Sequence, residues 1–156
     1  MSSFILLDNT LTTEHFQRLE ILQNPFHPAW SSKQLQGQLA SSKGLNMGLI
    51  QDQQLVGFVF YQILFEQAEI LQVAIDPSYQ QRGLAAKLLL NSFTHLQLHK
   101  KVESVLLEVR ASNLAAIKLY EHLTFSLDGR RKRYYPSVDG SREDALLYTK
   151  TLLKNA

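Results

Sequence analysis

The stretch from Ala68 to Arg110 constrains the fold more than any other. Ala68–Ile75 reads as a strand, stopped by Asp76-Pro77 because proline holds the residue before it out of the helical region. A polar turn follows, and a helix starts near Arg82 or Gly83. Its apolar positions Leu84, Ala85, Leu88, Leu89, Phe93 and Leu96 keep a 3.6-residue period over about four turns. Val105, Leu107 and Val109 then alternate with Leu106, Glu108 and Arg110, which is the pattern of a strand. Around this unit, Phe4–Leu7 reads as a short strand. Thr12 and Thr13 open a helix carrying Phe16, Leu19, Ile21 and Leu22, ended by Pro25 and Pro28. Ser31 or Ser32 can cap a second short helix with Leu35 and Leu39. Met47–Ile50 and Leu55–Leu64 form a hairpin around the polar turn 51–54. Ser112 can cap a helix whose apolar face is Ala116, Leu119, Tyr120 and Leu123. Phe125–Tyr135 and Asp144–Leu152 close the chain as strands around a loop at 136–142. The order β-α-α-β-β-β-α-β-α-β-β predicts an α/β fold, a mixed sheet covered by helices.

Composition narrows the class. The 156 residues suit one domain spanning 1–156, and 45% hydrophobic residues suffice for a core. Sixteen Lys+Arg against fourteen Asp+Glu leave +2, too little to argue for direct nucleic-acid binding. No apolar run approaches the roughly 18 residues of a membrane span, and the first residues lack the pattern of a signal peptide, so a cytoplasmic location is expected. The absence of cysteine excludes disulfides, thiolate metal sites and a cysteine nucleophile. His95 and His99 are four residues apart but have no third ligand in view, so no metal is expected. The basic run Arg130-Arg131-Lys132-Arg133 reads as a solvated strand face.

The turn Asp76-Pro77-Ser78-Tyr79-Gln80-Gln81-Arg82-Gly83-Leu84-Ala85-Ala86-Lys87 is the most informative about chemistry. A helix start offers unpaired backbone N–H groups and a positive dipole end. Small side chains at Gly83, Ala85 and Ala86 let a phosphate approach those amides, and Arg82 adds charge. It is neither a Walker loop nor a dinucleotide fingerprint. By turn chemistry alone, an ordinary strand-to-helix turn is the favoured reading. Glu108 is similarly open. Glutamate is depleted in strands and disfavoured when buried. A partly desolvated carboxylate has its pKa raised, which suits a general base near pH 7. An edge glutamate paired with Arg110 or Lys101 is the plain alternative. Tyr120, on an apolar helix face, is by itself a core tyrosine.

Gln80-x-x-Gly83-x-Ala85 is similar to the [Q/R]-x-x-G-x-[G/A] signature of the GCN5-related N-acetyltransferases, the GNAT superfamily. Val73-Ala74-Ile75-Asp76-Pro77 before it and Leu107-Glu108-Val109-Arg110-Ala111-Ser112-Asn113-x-x-Ala116-Ile117-x-Leu119-Tyr120-Glu121 after it strengthen the resemblance, which is dense from about Glu69 to Tyr148. It is thin in the N-terminal half, where Phe26-His27-Pro28-Ala29-Trp30-Ser31 resembles a Phe-Pro-Trp-Ser turn. The branch resembled acetylates protein N-termini.

The resemblance implies acetyl-CoA as donor, with its pantetheine arm pairing with Val73, Ala74 and Ile75 as an added strand. It implies pyrophosphate on the amides of Gln81, Arg82, Gly83, Leu84, Ala85 and Ala86, and a further cofactor contact from Asn113. It gives Glu108 the role of general base and Tyr120 that of general acid on the departing thiolate. Trp30, Tyr134 and Tyr135 would line the acceptor. An oxyanion donor is expected near Ala74 or Ile75. The implied partner is a protein N-terminus, that of a ribosomal protein ending in alanine at its amino end. The implied transfer is direct, in a ternary complex, without metal. A lysine side chain, a polyamine or an antibiotic amine is the alternative acceptor, and a silent acyl-CoA-binding regulatory module the alternative function. Three departures stand out. Gln81 replaces a common arginine, Ala85 replaces a common glycine, and Thr124 replaces a glycine after the helix. A β-branched Thr124 resists positive φ, so that helix end is expected to differ in shape.

Overall fold

The computed structural model describes residues 2–152. Strand β1 is Ser3–Leu6, helix α1 Thr13–Ile21, α2 Ser32–Ala40, β2 Gly44–Gln51, β3 Gln54–Leu64 and β4 Gln67–Ile75. Helix α3 is Leu84–Lys100, β5 Ser104–Arg110, α4 Leu114–His122, β6 Ser126–Pro136 and β7 Arg142–Thr151. The order is the one expected from the pattern. The seven strands form one sheet, β1-β2-β3-β4-β5-β7-β6, in which only β4 and β5 run parallel. That single parallel pair is the consequence of the helix between its strands, since a parallel neighbour needs a crossover.

The two faces of the sheet carry different helices. Leu84, Leu88, Leu89, Phe93 and Leu96 of α3 and Tyr120 of α4 pack with Val105, Leu107 and Val109 in one core. Leu19 and Leu22 from the α1 side and Leu35 and Leu39 of α2 pack with Phe58, Phe60 and Ala74 in the other. Burial of these side chains is the main favourable term, at about 1.5–3 kcal/mol for each large one. Helix starts are secured locally. Thr12 accepts from the His15 N–H, and Ser31 with Gln34 completes a capping box. The β2–β3 turn places Asp52 and Gln53 at φ 52° and 65°, positive at both as a tight hairpin requires, without a glycine.

Three helix ends differ from expectation. α3 begins at Leu84, because Gly83 sits at φ 72°, outside helical space, and acts as its cap residue. Asn113, not Ser112, caps α4: its Oδ1 accepts from the Ala116 N–H at 3.2 Å. The end of α4 overturns the reasoning about Thr124. Thr124 adopts φ 67°. Its N–H donates to Glu121 O at 3.0 Å, and the Phe125 N–H donates to Tyr120 O at 2.9 Å. Phe125 then stacks edge-on against Tyr120, with centroids 5.6 Å apart. This is a complete Schellman end with threonine where glycine is usual. The two hydrogen bonds, the ring contact and a 2.6 Å bond from Lys150 Nζ to Thr124 Oγ1 hold it against its intrinsic cost.

Candidate active site

The site begins with a break in the sheet. β4 and β5 pair over only three positions, Gln67 with Ser104, Ala68 with Val105 and Glu69 with Leu106. Beyond Leu106, β5 pairs with β7 alone, and beyond Glu69, β4 pairs with β3 alone. The strands part, and each leaves an inner edge of backbone groups without a neighbour. β4 also gains a residue at Leu71: Phe60 pairs with Gln72 and Tyr61 with Ile70. A bulge of this kind turns a strand and re-aims its side chains.

Register decides which groups face the gap. The Asp76 N–H donates to Val56 O at 2.7 Å, across from β3. By antiparallel alternation Ala74 also bonds toward β3, so the N–H groups of Val73 and Ile75 face the opening. The expected oxyanion donor near Ala74 or Ile75 thus narrows to Ile75, since the Ala74 N–H is taken. Gln80 Nε2 donates to Ile75 O at 2.9 Å and ties the loop back to the strand end. The first residue of the six-residue signature therefore has a structural task. Below it, Arg18 bridges Leu55 O at 2.9 Å and Asp76 Oδ2. Its hydrogen bond holds the Asp76 carboxyl below the usual carboxylate range, with a second contribution from the Ser78 N–H.

Gln81 at φ 63° and Gly83 at φ 72° bend the chain into the start of α3. No side chain caps that helix, and its first internal bond on this side runs from the Lys87 N–H to Gly83 O. The amides of Gly83, Leu84, Ala85 and Ala86 are left for an anion. A methyl group added at Gly83 would meet no atom within 4 Å, so the space in front of the loop is open. Leu84 gives its side chain to the core, and Ala85 and Ala86 lie partly buried against it. Arg82 packs its guanidinium over the Tyr79 ring at 5.1 Å and donates to Ser78 O at 3.2 Å. A cleft of ≈ 680 Å³ lies beside the end of β4, lined by Gln23, Phe26, Ala29, Ile75, Asp76 and Pro77 among others.

Side-chain alternation places Glu108 and Tyr120, the two residues the resemblance singles out for catalysis, on opposite sides of the break. Leu107 and Val109 point to the α3–α4 core, so Glu108 between them points to the other face. Tyr120 projects from α4 into the α3–α4 core, where burial pushes its hydroxyl up to about 12. Glu108 Oε1 is buried without a hydrogen bond, yet Arg131 Nε stands 3.2 Å away, close enough for an ion pair though not aligned for a hydrogen bond. The plain partners expected from the sequence are Arg110 and Lys101. The cation is Arg131, delivered by β6.

β6 arches here. Arg131 pairs with Ala145 and Tyr135 with Glu143, so the chain between them bulges, with Arg133 at φ 51°. Tyr134 and Tyr135 meet edge to face at 5.1 Å. Arg131 lies over Tyr134 at 5.0 Å and Arg110 over Tyr135 at 4.4 Å. Burial raises the Tyr135 hydroxyl, with the Glu108 charge adding to it. Trp30 stands farther off, stacked on Phe60 at 5.5 Å, and its backbone N–H donates to Gln23 Oε1 at 2.9 Å. Gln23 in turn forms a reciprocal, buried amide pair with Gln72 of β4, at 2.7 and 3.2 Å. The structure brings Glu108, Tyr134, Tyr135 and Arg131 together on one face. It adds Glu69, which the sequence alone does not single out, since Glu69 meets β5 only through the parallel register.

Comparison with known proteins gives this geometry relatives. The model of the acetyltransferase (GNAT) family matches residues 14–125. The [ribosomal protein bS18]-alanine N-acetyltransferase of Escherichia coli K12 is 40% identical over 121 residues, 76% of this chain and 78% of that protein. The protein of the same description from Haemophilus ducreyi is 36% identical over 142 residues, 88% of this chain and 94% of that one. The crystal structure of the ribosomal-protein-S18-alanine N-acetyltransferase from Escherichia coli superimposes with a TM-score of 0.85 at 32% identity, covering 100% of this chain and 97% of that one. A chain with this split sheet, this uncapped helix start and these relatives belongs to the GNAT family of acetyltransferases.

Proposed function

We propose that the chain is a single-domain, acetyl-CoA-dependent enzyme that acetylates the α-amino group of a protein, with the N-terminal alanine of a ribosomal protein as acceptor, in the cytoplasm. The observation that carries this is the parting of β4 and β5 between a carboxylate on one face and a buried phenol on the other. The residues present fit the donor. The unpaired edge at Val73 and Ile75 suits the amide groups of a pantetheine arm. The amides from Gln81 to Ala86 suit its pyrophosphate, with Arg82 adding charge from its place over Tyr79. The side-chain amide nitrogen of Asn113, whose Oδ1 caps α4, remains for a further contact.

When bound, acetyl-CoA supplies a thioester whose acetyl group is transferred without a covalent enzyme intermediate. The protein's part is to manage protons and charge. Glu108 takes a proton from the acceptor ammonium, directly or through water. An α-amino group has a pKa of about 7.7–8.0 against about 10.4 for lysine, so freeing it costs roughly 3 kcal/mol less. A carboxylate base is adequate for the former. The Ile75 N–H faces the gap, where charge develops on the carbonyl oxygen. Tyr120, raised to about 12, stays protonated at neutral pH and can donate to sulfur as the bond to it breaks. Tyr134 and Tyr135 offer flat walls and hydroxyls to the acceptor's first residues, and Trp30 supports the opposite wall through Phe60 and Gln23.

The test is an acetylation assay with acetyl-CoA and peptides differing in their first residue, followed by thiol release and mass. A peptide starting with alanine should be acetylated on its α-amino group only. Turnover confined to lysine side chains, polyamines or other small amines would refute the acceptor. Tight acetyl-CoA binding with no turnover on any amine would refute the enzyme.

A further inference from the structure

Gln23 and Gln72 are only 3% and 5% exposed, and Gln72 stands opposite Phe60 in the apolar core beneath α1 and α2. A buried amide persists in such a place only with its hydrogen bonds made. These two make them with each other: Gln23 Nε2 donates to Gln72 Oε1 at 2.7 Å, and Gln72 Nε2 to Gln23 Oε1 at 3.2 Å. The same Gln23 oxygen accepts the backbone N–H of Trp30. The bulge at Leu71 is what aims Gln72. Ile70 packs in the α3–α4 core, so strict alternation would send Gln72 there too. The extra residue reverses the parity: Gln72 pairs with Phe60, and directly opposed residues share a face. Glu108 points to that face as well. Gln23 and Trp30 bracket the loop between α1 and α2. The backbone bonds of that loop, from Gln23 N–H to Glu20 O, Asn24 N–H to Ile21 O and Phe26 N–H to Gln23 O, stay within it or reach back to α1. Its polar link to the sheet is the amide pair, with the ring contacts of Trp30 to Phe60 and Phe26 to Phe58 beside it. Phe26 and Ala29 of this loop wall the ≈ 680 Å³ cleft together with Ile75 and Pro77 at the end of β4.

Resting on the acetyl-transfer reading, we propose that Gln23 and Gln72 are positioning residues for the acceptor: their amide pair latches the α1–α2 loop to β4, one residue before the open edge at Val73, and so limits the size of the first side chain the acceptor can bring. Neither is asked to move a proton. Two apolar side chains of the same volume would fill the space as well, but apolar contact is non-directional and lets a loop slide over the sheet. They would also leave the Trp30 N–H without its acceptor. The reciprocal pair fixes both partners in register, and the third bond carries that register across the loop to Trp30. A wall held in this way rejects a larger first residue by overlap, where a mobile wall would yield to it. A few methylene groups are otherwise weakly discriminated by an apolar pocket.

The experiment compares the wild type, Gln72→Met and the double variant Gln23→Met/Gln72→Met on two peptides that differ only in starting with alanine or leucine, with melting temperature and acetyl-CoA affinity as controls. The single variant leaves the Gln23 amide buried without its partner, so its melting temperature should fall. Replacing both partners by apolar groups of similar shape should restore most of that loss. The latch is still gone, so the double variant should keep a KM for the alanine peptide about tenfold above wild type, with kcat within about threefold, and its preference for alanine over leucine should narrow by about tenfold. A double variant with the wild-type KM and preference marks a purely structural pair and overturns the proposal, as does a loss confined to kcat. Should the wild type bind acetyl-CoA but acetylate no N-terminus, the acceptor reading fails and this proposal with it, an outcome distinct from a change confined to the variants. A measurement on the unmutated protein serves if the variants do not fold. The Trp30 backbone N–H, followed by hydrogen exchange, should be protected despite its place in a loop, and exchange as fast as that of a free amide overturns the proposal.

Discussion

Replacing Gly83 by alanine separates two properties of the loop proposed to hold the phosphates. The residue sits at φ 72°, where a Cβ costs about 1–2 kcal/mol. Alanine recovers about 0.4–1 kcal/mol of that through a less disordered unfolded chain. No atom lies within 4 Å of the added methyl group, so no packing clash enters. The net loss of stability is therefore about 0.5–1 kcal/mol, or roughly 1–4 °C in melting temperature for a chain of this size. Acetyl-CoA binding should suffer far more. The loop would shift from the geometry that aims its amides, and a hydrogen bond to a charged group is worth about 1.5–3 kcal/mol. Losing one such bond raises Kd by about tenfold to a hundredfold. Calorimetric titration with acetyl-CoA and with acetyl-pantetheine, which lacks the pyrophosphate, resolves the cause. The variant should bind acetyl-CoA much more weakly than the wild type and acetyl-pantetheine as the wild type does. An unchanged Kd for acetyl-CoA in a folded variant would refute the placement of the phosphates on these amides.

Glu108→Gln and Tyr120→Phe should each lower kcat by about a hundredfold or more while leaving acetyl-CoA affinity within about threefold, checked by steady-state kinetics and calorimetry. Thr124→Gly should stabilise the protein: it relieves about 1–2 kcal/mol of left-handed strain, yields back about 0.4–1 kcal/mol to the unfolded chain, and loses the exposed bond from Lys150. A melting temperature about 1–2 °C higher is expected, and a fall would show that the Lys150 contact outweighs the strain.

The order of elements was legible because period and punctuation agree along the chain. The 3.6-residue repeat of Leu84 to Leu96 and the alternation at Val105 to Arg110 each admit one reading, and Pro77 closes β4 unambiguously. The Gln80-to-Ala85 signature also gave away the loop, whose backbone geometry follows from Gly83. What stayed hidden depends on pairing at a distance. Glu69 meets β5 only through the parallel register, which alternation within one strand cannot reveal. Arg131 reaches Glu108 from β6, across β7, through the register that sets it opposite Ala145, whereas Arg110, two residues from Glu108 in sequence, packs on Tyr135 instead. The residue before a helix is also a weak guide to its cap: Asn113 took the place assigned to Ser112 because its side chain reaches the Ala116 N–H. At Thr124, intrinsic preference lost to a helix end already fixed by two hydrogen bonds and the Tyr120–Phe125 contact.

Amide hydrogen exchange at the end of β4, resolved residue by residue with and without acetyl-CoA, bears most directly on the split sheet as donor site. The Ala74 N–H, bonded to β3, should exchange slowly in either condition. Val73 and Ile75 should exchange faster in the free protein and slow markedly when the ligand adds its own amides to that edge. Saturating acetyl-CoA that leaves Val73 and Ile75 unprotected would contradict the account.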